Sequence, residues 1–153
     1  MVNNMRIFLK DICLEDIKYL SHFPIQGLVF SITQKNAETI RNIIEKLPFC
    51  LTIIGEFNSL PKYEIEELIY FCKLNGIILS DLPDKEEYSC PLIFSPTTSY
   101  NVFIQKDEKI ITGKINKESL RDNKEVMALI LNREELLNYW PLIIEIWSKI
   151  KVV

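Results

Sequence analysis

The first 80 residues alternate between short apolar segments and segments whose apolar residues recur at helical spacing. Apolar segments rich in β-branched and aromatic residues begin near Met5, Gly27, Cys50 and Gly76. They are apolar throughout, which is typical of parallel strands covered on both faces. Parallel strands need crossover connections, and the intervening helices supply them. This pattern predicts the order β-α-β-α-β-α-β for these residues.

Three helices are predicted between these strands. The first covers residues 14–21, with acidic residues in its first turn. The second is defined by Ile40, Ile43, Ile44 and Leu47, with Asn36 as its expected N-cap. The third carries the same spacing at Ile65, Leu68, Ile69 and Cys72, and Asn75-Gly76 is expected to end it.

The second half is less regular. Strands are predicted near residues 91–94, 101–104 and 126–131, a polar turn over 106–113, and a helix over 133–150 that Pro141 kinks. A repeated strand–helix unit fits either a (β/α)8 barrel or an open doubly wound parallel sheet. Barrels of this kind usually have 200 residues or more. The length of 153 residues therefore favours the open sheet, unless elements of the barrel have been deleted.

Composition narrows the class of protein. The length predicts a single domain over residues 1–153, and the net charge of −3, with no basic block, argues against nucleic-acid binding. No apolar run approaches the roughly 20 residues of a membrane span, and no export signal is visible, so a cytoplasmic location is expected. Four separate cysteines and one histidine favour buried thiols over a metal site, and no cofactor is expected.

Several short motifs share their order and spacing with a known family. They are Leu14-Glu15-Asp16 at the first helix, Gly27-Leu28-Val29-Phe30 and Ile54-Gly55-Glu56-Phe57 in strands, and Thr112-Gly113-Lys114. Together they resemble phosphoribosylanthranilate isomerase, the (β/α)8 barrel of tryptophan biosynthesis. The resemblance implies a TIM-barrel-like fold, shortened by helices missing from the second half.

The resemblance also implies a reaction. The family carries out an Amadori rearrangement, in which a general acid opens the ring of an aminoaldose phosphate and a general base removes the C2 proton. Its base is a cysteine at the end of the first strand, and its acid is an aspartate at the end of the sixth. Carried over to this chain, Cys13 is the candidate base and Asp107 the candidate acid. Phosphate or substrate contacts fall on Lys10, Gln105, Lys114 and Asn132.

This chain departs from the family pattern at all three parts of the site. An ungapped alignment puts Leu9 at the cysteine and Gln105 at the aspartate, and neither side chain can replace the group it aligns with. Leu129 and Ile130 align with the glycines that let phosphate approach the backbone. Cys13 matches the base only after a shift of register, and its other interpretation is a buried thiol. Asp107 is alternatively part of a solvated turn.

Two further hypotheses follow from these departures. The chain could be a catalytically inactive relative, kept as a binding or subunit-contact module, with the apolar stretch around Trp140 and Trp147 as a homodimer face. The alternative for both tryptophans is packing in the domain core. A third hypothesis is an unrelated open α/β domain that binds a small phosphorylated ligand at its strand ends. If the chain is an active isomerase, its partner is a small phosphorylated sugar-amine.

Overall fold

Eight strands close into a barrel in the order β1-β2-β3-β4-β5-β7-β6-β8. The computed structural model describes residues 6–22, 25–47, 50–80, 87–95, 102–106, 109–114 and 126–141. The strands are β1 (Arg6–Lys10), β2 (Gly27–Ser31), β3 (Thr52–Phe57), β4 (Gly76–Leu79), β5 (Leu92–Phe94), β6 (Val102–Lys106), β7 (Lys109–Gly113) and β8 (Val126–Leu131). The TIM-barrel-like prediction is confirmed, and the open sheet is wrong.

Helices in the described residues follow β1, β2, β3 and β8. They are a 3₁₀ helix (Leu14–His22), α1 (Ala37–Glu45), α2 (Lys62–Cys72) and α3 (residues 133–141). The predicted order of strands and helices over the first 80 residues is therefore confirmed, including parallel pairing of β1 to β4. The first helix is of the tighter 3₁₀ type rather than α.

One strand runs against the others. β6 pairs antiparallel with both β7 and β8, whereas β5 pairs parallel with β7 and β1 pairs parallel with β8. The sequence had predicted a polar turn over residues 106–113, and that prediction is wrong for Lys109–Gly113, which form β7. The segment contains both polar and apolar residues, which is why it resembles a turn. It forms a strand because Ile110 packs against the barrel interior.

Apolar side chains form two layers. One fills the inside of the barrel and consists of Phe8, Val29, Ile54, Ile78, Ile93, Phe103, Ala128 and Ile130. The other lies between the strands and the helices, and takes the intervening strand residues together with Ile40, Ile43, Ile65, Leu68 and Leu136. Because strand side chains alternate between faces, uniformly apolar strands supply both layers at once. Trp140 packs against the outer layer, as the core interpretation expected, whereas Trp147 lies outside the described residues.

One predicted helix end is confirmed and another is wrong. Asn36 is the N-cap residue of α1, as expected, although its side chain makes no cap bond and its Nδ2 donates to the carbonyl of Ser31 at 2.9 Å. α2 ends one turn before Gly76, because Lys73 takes the left-handed conformation and Leu74 N–H donates to the Ile69 carbonyl. The expected stop at Asn75-Gly76 is therefore wrong, and Gly76 begins β4.

Candidate functional site at the carboxyl ends of the strands

A polar layer covers the apolar interior at one end of the barrel. Two residues beyond the inward-facing apolar residue of each parallel strand, the sequence changes to Lys10, Ser31, Glu56, Ser80, Ser95, Thr112 and Asn132. These positions share the inward side by alternation, and they all lie at the carboxyl ends of their strands. We call this set the polar rim. Barrels with parallel strands carry their active sites at this end.

Within the polar rim, Lys10 and Glu56 form an ion pair. Lys10 Nζ lies 3.5 Å from Glu56 Oε2, and the two side chains are 21% and 11% exposed. Lys10 ends β1, and Glu56 is the fifth residue of β3, so β2 lies between them. A carboxylate and an ammonium held together at a half-buried barrel mouth interact more strongly than an exposed surface pair. They offer one proton acceptor and one proton donor to the same small volume.

Ser31 links this pair to the turn after β1. It lies opposite Glu56 in the β2–β3 ladder, and its Oγ is 3.4 Å from Glu56 Oε1. The same hydroxyl is 3.3 Å from Asp11 Oδ2, so its single proton has two carboxylates within reach. The Ser31 backbone is fixed on both sides, because its N–H donates to Asp11 Oδ1 at 2.8 Å and its carbonyl accepts from Asn36.

Asp11 has a strained backbone that this network holds in place. Its φ of 52° lies in the left-handed region, which costs a residue other than glycine about 1 kcal/mol or more. Its N–H donates to the Val29 carbonyl at 2.8 Å. Its carboxylate accepts from the Ser31 N–H, which extends the hydrogen bonding between the β1 and β2 segments beyond the end of β1. Residues held in this conformation are common at functional sites, where the surrounding contacts offset the cost.

Cys13 is bound to the start of the 3₁₀ helix. Its backbone N–H and its Sγ donate to Asp16 Oδ2, at 3.0 and 3.1 Å. The bond from Sγ to Asp16 raises the pKa of the exposed Cys13 thiol, which therefore stays protonated at neutral pH. Burial alone would raise the pKa of Asp16, but the hydrogen bonds from Cys13 and the charge of Arg133 outweigh it, so that pKa is lowered.

The other predicted site residues divide between the two ends of the barrel. Gln105 pairs with Ile110 near the start of β7, and because β6 is reversed, this register puts residue 105 at the end opposite the polar rim. Lys114 is exposed and directly follows β7 at the rim end. Asp107 lies outside the described residues. The structure thus brings Lys10, Lys114 and Asn132 to one end of the barrel, and leaves Gln105 at the other.

Asn132 begins α3 through a reciprocal cap. Its Oδ1 accepts from the N–H of Glu135 at 2.8 Å, and Glu135 Oε1 accepts from the N–H of Asn132 at 3.1 Å. The residues that aligned with the family's phosphate glycines, Leu129 and Ile130, are buried inside β8 and pair with β1. Both lie within the strand rather than in the turn that follows it. The turn at the end of β8 begins at Asn132.

Three residues of the network were missed from the sequence: Asp11, Ser31 and Glu56. Glu56 carried a usable signal, because it is a charged residue inside the otherwise apolar strand Thr52–Phe57. Asp11 and Ser31 gave none, since polar residues after a strand are ordinary. In the described part of the chain, no group of three or more His, Cys, Asp or Glu side chains is arranged to hold a metal ion. The helices described there include none long and apolar enough to span a membrane.

Comparison with known proteins places the fold. No protein-family model matches the chain, and no curated protein matches its sequence. The solved structures similar to it include phosphoribosyl anthranilate isomerase from Thermus thermophilus, with 24% identity and a TM-score of 0.51 over 60% of this chain and 51% of that one. The chain thus spans about half the length of that relative.

A second similar structure covers more of both molecules. It is that of monomers generated from the dimeric phosphoribosylanthranilate isomerase of Thermotoga maritima, with 16% identity and a TM-score of 0.56 over 84% of this chain and 85% of that one. At these identities the likeness is one of fold. The chain shares the barrel architecture of phosphoribosylanthranilate isomerases.

Proposed function

We propose that the chain catalyses an Amadori rearrangement of the phosphoribosylanthranilate isomerase type, with Glu56 and Lys10 as its proton-transferring groups. The observation that carries the proposal is their ion pair at the carboxyl end of the barrel, 3.5 Å apart and largely shielded from water. The shared barrel of the two solved isomerases supports the reaction class. Glu56 and Lys10 supply both the base and the acid that the reaction needs.

The two groups account for every proton in the rearrangement. The Lys10 ammonium protonates the ring oxygen as the bond from C1 to that oxygen breaks, and the nitrogen lone pair forms the C1–N double bond. The Glu56 carboxylate removes the C2 proton, which gives an enaminol. Glu56 then returns its proton to C1, and Lys10 recovers one from the C2 hydroxyl, which leaves the aminoketose. Both side chains end in their starting states.

The neighbours of the pair suit this role. Ser31 holds a hydroxyl 3.4 Å from Glu56 Oε1, where it orients the carboxylate, and Asp11 fixes the Ser31 backbone. Lys114 lies at the end of β7 on the same side of the barrel and is the proposed contact for the substrate phosphate. Cys13 as base is the competing assignment; its bond to Asp16 favours the thiol over the thiolate, which weakens it as a base.

A coupled assay with phosphoribosylanthranilate tests the proposal. Glu56→Gln keeps the shape of the side chain and removes the base, and we expect kcat to fall by about 10²–10⁴-fold. Glu45→Gln is the matched control, because Glu45 is also ion-paired, at 3.0 Å to Arg41, but on the surface of α1. Lys114→Ala should raise KM and leave kcat near its original value.

Two results would contradict the proposal. No turnover by the folded wild-type protein would remove the activity and favour the inactive relative with a binding or subunit-contact role. Loss of activity in Cys13→Ala together with full activity in Glu56→Gln would return the base to Cys13. Circular dichroism of each variant separates loss of chemistry from loss of the barrel.

A further inference from the structure

A cavity of about 220 Å³ lies outside the barrel, away from the Lys10–Glu56 pair. The 3₁₀ helix and α3 form two of its walls, and the outer side of β1 forms its base. Its lining is apolar at Leu9, Ile12, Leu20, Leu136 and Leu137, and charged at Asp16 and Arg133. We call this space the outer cavity. It is large enough for a branched or aromatic side chain, since apolar cavities of about 150 Å³ bind benzene.

The two charged residues of the outer cavity form an ion pair beside the apolar lining. Arg133 Nη1 lies 3.1 Å from Asp16 Oδ1, with the Arg133 side chain 69% exposed and the Asp16 side chain 13% exposed. The two bonds from Cys13 and the charge of Arg133 lower the pKa of the Asp16 carboxyl. A fixed negative charge and a positive charge in contact with solvent therefore stand side by side next to the apolar space.

This arrangement matches one class of small molecule. An α-amino acid carries an ammonium, a carboxylate and a side chain on one carbon. The ammonium can pair with Asp16, the carboxylate can take two parallel hydrogen bonds from the Arg133 guanidinium, and an apolar side chain can enter the space between Leu20 and Leu136. A ligand with one charge would leave one member of the ion pair without a new partner.

We infer that the outer cavity binds a hydrophobic α-amino acid as its zwitterion. The inference does not depend on the proposed isomerase activity, because none of the seven lining residues belongs to the polar rim. Exposed Leu137 lies at the edge of the cavity, where its side chain covers part of a bound apolar group. The outer cavity and the polar rim adjoin along the chain, because Leu9 and Arg133 of the cavity are the neighbours of Lys10 and Asn132 of the rim.

Isothermal titration calorimetry with L-leucine and L-phenylalanine tests the site on the full chain. We expect saturable binding at one site, and at least tenfold weaker binding of 4-methylpentanoate and of 3-methylbutylamine, which lack the ammonium and the carboxylate respectively. Arg133→Gln should weaken leucine binding at least tenfold. Arg41→Gln is its matched control, since Arg41 is a partly exposed arginine paired with a carboxylate on a helix, and this variant should bind as the wild type does.

A second variant guards against effects on folding. Leu137→Trp replaces an exposed residue at the edge of the cavity and should block it while leaving the unfolding midpoint near that of the wild type. No saturable binding of either amino acid would overturn the inference. So would equal binding by the amine or the acid alone, or unchanged leucine binding in both Arg133→Gln and Leu137→Trp.

Discussion

Replacing Gly27 with alanine should destabilise the barrel strongly, for a purely steric reason. Gly27 lies directly opposite Phe8 where β1 pairs with β2. A Cβ built on Gly27 would overlap Phe8 Cε1 and would lie 2.6 Å from the backbone oxygen of Thr52. The Phe8 ring cannot swing freely, because it packs edge to face against Phe103 with centroids 5.5 Å apart. Both the ring and the β3 backbone would have to move.

The cost follows from what must shift. Overpacking a core costs about 1–3 kcal/mol, and we expect Gly27→Ala at the upper end, near 3 kcal/mol, because one of its contacts is backbone. For a chain of this size, about 2–4 °C is lost per kcal/mol, so the unfolding midpoint should fall by roughly 6–12 °C. Gly27 does not have a positive φ, so conformational strain adds nothing to this figure.

Two other glycines make matched controls for the same substitution. At Gly76, a Cβ would meet only Pro91 O at 3.5 Å and Ile54 Cγ1 at 3.8 Å, so Gly76→Ala should be neutral or stabilise by about 0.4–1 kcal/mol. At Gly55, the nearest atoms are ends of side chains, with Leu74 Cδ1 at 2.6 Å, and an intermediate loss of about 1 kcal/mol is expected.

Urea denaturation followed by circular dichroism measures all three variants. From the most to the least stable, the predicted order is Gly76→Ala, Gly55→Ala and Gly27→Ala. Adding Phe8→Leu to Gly27→Ala should recover part of the loss, because the ring is one of the two obstacles. Equal destabilisation by Gly76→Ala and Gly27→Ala would refute the steric reasoning and the register of β1 against β2 with it.

Three smaller predictions concern helix caps and titrating groups. Asn132→Ala should cost about 1 kcal/mol in urea denaturation, because α3 loses its side-chain cap; an unchanged midpoint would contradict that role. Asp16→Asn should speed alkylation of Cys13 at pH 8, measured by peptide mass spectrometry, since loss of the carboxylate lowers the pKa of the thiol; a slower rate would argue against the contact. The bonds from Ser89 lower the pKa of Glu66, so their stabilisation is full above about pH 4.5 and is lost as pH falls through the folded-state pKa; Glu66→Gln should flatten that part of the profile of stability against pH.

The first half of the fold could be predicted because its signals are local. The spacing of apolar residues identifies the strands and helices such as α1. Strands that are apolar on both faces predict parallel pairing, which β2 and β3 show. The reversal of β6 has no such signal, because an apolar run does not reveal its direction. β7 was missed because its sequence is not apolar throughout. It contacts the barrel interior through Ile110, so a mixed polar and apolar sequence is enough to form this strand.

The site was harder to predict than the fold. Lys10 was found through the family resemblance, but its partner Glu56 lies 46 positions further along the chain. The two side chains meet only because β1 and β3 both pair with β2 in the curved sheet. Gln105 was predicted from an alignment that took β6 to be parallel to its neighbours, whereas β6 is antiparallel to them. Cys13 was found by a shift of register that matches it to the family's base, whereas its environment beside Asp16 depends on a turn that spacing does not describe.

The reversed strand explains how a short chain can close a barrel at all. A strand that runs backwards begins where its predecessor ended, so seven residues suffice between Phe94 and Val102, and two between Lys106 and Lys109. Each parallel alternative would need a return trip of at least 10–12 residues. The residues that flank this two-residue connection, Lys106 and Lys109, pair at the end of the barrel opposite the polar rim. A fluorescent label or a fused domain inserted between these two residues would not obstruct the polar rim. This position is therefore suited to attaching a probe that monitors ligand binding there.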